Sequence, residues 1–235
     1  MKKINILFIL LGIFSIIGQT VLLRELLIGV RGNEIVFAIY LSFWLLLVAI
    51  GSFLARYFFH FKNIKSIVNF SFILLSIITP LQFLSIRILI QKLFVISGEL
   101  IVIPGLFFLA LVVLAPGCLL IGFLFPLLCK LVETEKQPIH KGYILECIGI
   151  IIGGILFAVL IHLFPNFTVL IVLSSLNLLL IFVLSQNKLL FIPLILFIIF
   201  IPFSNEFFKS YYGKKYAPQE LITTKDSKYG RLDVT

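Results

Sequence analysis

Residues 142–157 read GYILECIGIIIGGILF, and how this stretch is interpreted decides the class of the protein. Its only charged residue is Glu146, and the apolar run continues to Leu163 with only His162 interposed. In helical form ~20 consecutive apolar residues match the hydrocarbon thickness of a bilayer, so the stretch belongs to a membrane-crossing helix. Gly149 and Gly153 stand four positions apart with Gly154 alongside. That small-xxx-small spacing leaves a strip without side chains, and a second helix can approach it closely. Glu146 follows Gly142 by four residues, near one end of the crossing, where a carboxylate needs a partner. Two roles suit it: pairing with Lys141 or Lys130 at the interface, or service in a polar membrane site.

The rest of the chain has the same character. Of 235 residues 61% are hydrophobic and 12% charged, and the mean hydropathy is +1.22. A soluble domain of this length does not need that much apolar surface, so the composition indicates an integral membrane protein. Hydrophobic segments fall near 4–23, 35–55, 66–85, 101–129, 143–163, 167–185 and 189–203. They predict an all-α integral membrane helical bundle of about seven segments over residues 1–203, followed by a polar extra-membrane tail over 204–235. The fourth segment is interrupted by Pro116-Gly117, where a kink is expected. The seventh is short, is bracketed by Pro193 and Pro202, and has a length at which re-entrant or interfacial placement competes with spanning.

The N-terminus, MKKINILFILLGIFSIIGQT, has the basic start and apolar stretch of a secretory signal. It lacks a small-residue cleavage site, and the helical pattern runs on through VLLRELL, which points to an uncleaved first span. Cys118, Cys129 and Cys147 have no C-x-x-C spacing, so they are expected in the packed core rather than in a zinc site or disulfide framework. The net charge of +9 comes from basic residues between spans and in the tail. Orientation and anionic headgroups account for that arrangement, and nucleic acid is not an expected partner.

Orientation follows from the short loops. A cytoplasmic N-terminus places Lys2, Lys3, Arg56, Lys62, Lys65, Lys130, Lys136, Lys141 and Lys188 inside, against Arg24, Arg31, Arg87 and Lys92 outside. Seven full crossings would export the basic tail containing Lys209, Lys214, Lys215, Lys225, Lys228 and Arg231, whereas an even number retains it. The charge balance therefore favours a cytoplasmic tail on a multi-pass protein of a bacterial-type cytoplasmic (inner) membrane.

Residues 18–35, GQTVLLRELLIGVRGNEI, gather Gln19, Arg24, Glu25, Arg31, Asn33 and Glu34 near one membrane face. Arg24 and Glu25 are adjacent, so they point in different directions on a helix and do not simply neutralise each other. Either these side chains snorkel to the headgroups, or Gln19 and Arg24 face a polar cavity. The candidate polar membrane site thus comprises Gln19, Arg24, Glu25, Glu34 and Glu146, and the candidate packing residues are Gly149, Gly153 and Gly154. WLLLVAIGSFLAR ends the second helix with Gly51-Ser52, and APGCLLIGFLFPLLCK contributes Pro116, Gly117, Gly122 and Pro126, all suited to tight helix contacts. His162 sits at a span end and is expected to face headgroups. Deep positions are almost free of ionisable groups, and no proton-relay ladder is evident.

Taken in order, GQTVLLRELL, GNEIVFAIYLSFWLLLVAIGS, APGCLLIGFLFPL, GYILECIGIIIGGILF and SKYGRLDVT resemble the membrane-bound spermidine synthase-like proteins. The resemblance implies a multi-helix membrane region preceding an aminopropyltransferase-like domain. A segment similar to DSKYGRLDV forms the first strand of that domain's small β-part, which leads into a doubly wound fold. There decarboxylated S-adenosylmethionine would be the co-substrate and an amine the acceptor, as in polyamine biosynthesis. On that comparison the chain ends inside its first strand, and this incipient strand would be disordered or pair with another chain. Tyr229 and Arg231 match the opening strand and receive no catalytic role. The strand, Gly-rich turn and acidic residue that hold a nucleoside do not occur here, nor does a later acidic pair to deprotonate an amine. No catalytic, cofactor-binding or metal residue is therefore assigned, and the expected partners are the lipid bilayer and either a separately encoded synthase domain or a second copy of the chain. The competing class is a standalone membrane transporter or scaffold subunit that uses the polar loop and Glu146 to hold a small polar ligand or partner.

Overall fold

A computed structural model describes residues 2–30, 34–93, 103–185 and 195, together with the backbone of 223–226 and 231–234. Six helices are long and apolar enough to cross a membrane: α1 (Lys2–Gly29), α2 (Glu34–Ala55), α3 (Ile64–Leu93), α4 (Ile103–Thr134), α5 (His140–Leu163) and α6 (Asn166–Ser185). The seventh expected segment, 189–203, lies outside the described residues apart from the single position 195. A short 3-10 turn, Arg56–Phe58, links α2 to α3.

Local sequence explains the breaks. Phe164 precedes Pro165, whose ring excludes the helical conformation from its predecessor, and Phe164 is extended at φ −132° and ψ 148°. α4 stops where Lys136 takes a left-handed φ of 54° and the Gln137 amide donates back to the Val132 carbonyl at 3.1 Å, capping the last turn. Glu34 opens α2, where the exposed amides at a helix N-terminus favour a carboxylate.

The helices alternate in direction. α1 runs parallel to α3 and α5, as the contacts of Gly18 with Thr79, Gly29 with Ile90, and Gly149 with Ile9 require. α6 runs opposite to α1, so that Lys3 Nζ donates to the Leu184 carbonyl at 3.0 Å. Lys3, Arg56, Lys62, Lys65, Lys130, Lys136 and Lys141 consequently share one end of the bundle, the end where α1 starts and α6 finishes. α1 is the hub and contacts every other helix; α2 packs mainly on α4, and α5 mainly on α1.

Two helix pairs approach at backbone distance. Gly12 of α1 faces the Glu146–Ile150 backbone, while Gly149 and Gly153 of α5 face Ile9 and Ile13. Gly51 of α2 lies against the Leu119 carbonyl, Gly122 of α4 lies against the Val48 carbonyl, and the Ser52 hydroxyl donates to the Gly122 carbonyl at 2.9 Å. In lipid, where apolar surface gains little by moving from tails to protein, such close packing and interhelical hydrogen bonds are the main source of helix association.

Several expectations change. α4 continues as one helix of 32 residues through both Pro116 and Pro126. Gln82 of α3 makes this possible: its Nε2 donates to the Val113 and Leu114 carbonyls at 2.6 and 3.2 Å, beside the turn that the proline weakens. Gly117 leaves the space that the Gln82 amide occupies. Gly154 is not at the helix contact, since a methyl group there would meet nothing within 4 Å. The expectation of a lone strand also changes, because Thr223–Asp226 and Arg231–Val234 pair antiparallel within the same chain, with Thr223 opposite Val234 and Asp226 opposite Arg231.

Candidate functional site

α3 extends well past residue 85, to Leu93, and this brings Arg87 inside the bundle rather than into an external loop. There it meets Glu25 of α1. Arg87 Nε donates to Glu25 Oε1 at 2.5 Å and Nη2 to Oε2 at 3.2 Å, a two-point contact between side chains that are 6% and 2% exposed. The guanidinium carbon also stands 4.4 Å from the centre of the Phe83 ring, which packs in turn on Phe167 of α6 at 5.3 Å. A buried carboxylate and guanidinium in fork geometry satisfy each other as hydrogen-bond partners as well as charges. Glu25 therefore does not snorkel to the headgroups.

Glu146, assigned to the same polar site, does not join it. Gln19 is half-buried, and its backbone carbonyl accepts from the Tyr40 hydroxyl at 2.9 Å. Arg24 is half-buried on the neighbouring face of α1, and Glu34 is exposed at the start of α2. Arg31 and Asn33 lie outside the described residues. Glu146 packs beside Gly12, thirteen residues before Glu25 on α1, which at 1.5 Å per residue sets the two acidic groups about 20 Å apart along the bundle. The sequence had gathered two separate places into one list.

Glu146 is half-buried and makes neither of its expected pairings. Lys130 instead bonds Glu133 at 2.9 Å, and Lys141 is exposed at the start of α5. Among the described residues no hydrogen bond or ion pair of Glu146 is formed. His162 is exposed at the far end of α5, with Nδ1 2.7 Å from the Ala158 carbonyl.

A third group of polar residues escaped sequence reasoning because none is charged. Asn177 of α6 is fully buried, and its Nδ2 donates to the Phe72 carbonyl at 3.0 Å and the Ser76 hydroxyl at 2.7 Å. The Ser76, Thr79 and Ser175 hydroxyls bond carbonyls one turn back on their own helices. A lone amide inside an apolar run was the signal available, since a buried side-chain amide must find partners. Along α3 and α4, Ile78, Leu81, Val112 and Pro116 line an apolar groove beside Gln82, suited to an acyl chain rather than to a polar substrate. Among the described residues no set of three His, Cys, Asp or Glu side chains is placed to hold a metal ion.

Among the described residues, fold and site comprise a bundle of six helices long and apolar enough to cross a membrane, the buried Glu25–Arg87 ion pair and a separate half-buried carboxylate. No protein-family model, curated protein or solved structure matches the chain.

Proposed function

We propose that this chain is the membrane region of a spermidine synthase-like protein of a bacterial-type inner membrane. In this reading it anchors the polar residues 204–235 at the cytoplasmic face and transfers no group itself. The observation that supports it is the shared end of the bundle. Seven basic residues, Lys3, Arg56, Lys62, Lys65, Lys130, Lys136 and Lys141, lie at the end of the bundle where α6 finishes. Basic loops face the cytoplasm, where a nucleoside-derived donor would be found. Six crossings with the N-terminus inside also remove the conflict between hydropathy and charge that seven crossings create.

Topology provides the first test. A green fluorescent protein fused after Thr235 is expected to fluoresce, and alkaline phosphatase fused there is expected to be inactive; active phosphatase overturns the cytoplasmic placement. Activity provides the second. Purified residues 1–235 are expected to move no aminopropyl group from decarboxylated S-adenosylmethionine to a diamine above the protein-free background, because the chain lacks both a nucleoside-binding turn and a general-base pair. Turnover that tracks the purified chain would overturn the anchor assignment.

A further inference from the structure

We propose that the surface where α4 and α5 flank α1 binds an organic ammonium group, with Glu146 as counter-ion and Phe125 and Tyr143 as an aromatic wall. The proposal does not depend on the spermidine synthase-like reading.

α4 and α5 both lie on α1 but scarcely touch each other. Gly142 is in contact with the Phe8 ring, and Glu146 follows one helical turn later, where Gly12 meets its backbone. Opposite, Phe125 and Cys129 lie one turn apart on the same face of α4. Phe125 joins the two sides: its ring centre is 5.7 Å from that of Phe8 and 4.6 Å from that of Tyr143, edge-on to both.

Charge then selects the occupant. A half-buried carboxyl in a membrane helix takes up either a proton or a cation, and the lysines before it do not supply the cation: Lys130 is held by Glu133, and Lys136 and Lys141 are exposed. A divalent metal ion would need several oxygen ligands, and none beyond Glu146 gather here among the described residues. Ring faces attract ammonium groups, and carboxylate with aromatic rings is the combination that binds alkylated cations. Glu146 stands six residues into α5, about 9 Å from its start, within reach both of a lipid ammonium headgroup and of a soluble alkylamine from the basic face.

The test uses the full chain in nanodiscs, with two arms that separate the sources. In the first, discs contain equal phosphatidylethanolamine and phosphatidylglycerol, and native mass spectrometry reads which lipid stays bound. In the second, discs contain phosphatidylglycerol alone, and equilibrium dialysis reads binding of labelled butylammonium. The wild type is expected to retain its cation in at least one arm, and that arm names the source. Glu146→Gln is expected to weaken retention at least tenfold there and Phe125→Leu several-fold, while Glu146→Asp keeps most of it. Thermal unfolding confirms that each variant is folded. If wild type and Glu146→Gln behave alike in both arms, or if neither arm shows saturable binding, the proposal is overturned.

Discussion

Replacing Arg87 with methionine lowers the unfolding free energy of the bundle by about 3–5 kcal/mol, measured in detergent against the wild type, because Glu25 is left charged and 2% exposed with its guanidinium partner gone. Glu25→Leu falls in the same range for the converse reason. The double variant Glu25→Leu, Arg87→Met recovers most of the loss, since two apolar side chains of similar volume replace a pair whose attraction was largely offset by desolvation. A double-mutant cycle reads the pair directly. A coupling below about 1 kcal/mol would mean that each charge reaches water or headgroups independently, and the buried pair would then be of no consequence to the fold. Arg87 has little freedom to escape in this way: Phe83 sits beneath its guanidinium, and Nε and Nη2 are both committed to one carboxylate.

That pair also marks where sequence reading stopped. Glu25 was singled out from its position in VLLRELL, but its partner lies 62 residues away and was counted as a loop charge. A window of ~20 residues closes the third segment near 85. Hydropathy alone does not reveal that α3 continues through LSIRILIQKL, because a helix longer than the bilayer and a helix followed by a loop share this composition. The single arginine in that run was the available clue: an isolated charge among apolar residues either ends a span or is paired within it. Gln82 and Asn177 were passed over for a related reason, since uncharged amides barely alter hydropathy while their hydrogen bonds decide which helices meet.

Other features were legible because they depend on local spacing. Six of the apolar segments coincide with helices, and the first continues through VLLRELL as its pattern requires. Gly51-Ser52 and Gly122 were recognised as packing residues, and they join α2 to α4. The double glycine at 153–154 was harder to resolve. Neighbouring positions on a helix face 100° apart, so one of the two must leave the strip defined by Gly149, and the spacing of four selects Gly153.

Gly149→Leu should therefore separate from Gly154→Leu by a wide margin. A side chain at 149 would be built into the Ile9 backbone, which no rotamer change relieves, whereas one at 154 meets open space. Overpacking typically costs 1–3 kcal/mol when side chains can adjust, so ~3 kcal/mol or more is expected at this backbone contact. Alanine gives the graded form of the same result: Gly149→Ala destabilises, while Gly154→Ala is neutral or stabilising by up to about 1 kcal/mol, because alanine restricts the unfolded chain and favours the helix. α5 rests mainly on α1, so the damage at 149 should be local. Limited proteolysis should open the α4–α5 connection at residues 135–139 of the Gly149→Leu protein while α2 and α4 remain paired through Gly51 and Gly122. Equal stability of the two leucine variants would mean that α5 is held by lipid and by the connections at its ends rather than by its contact with α1.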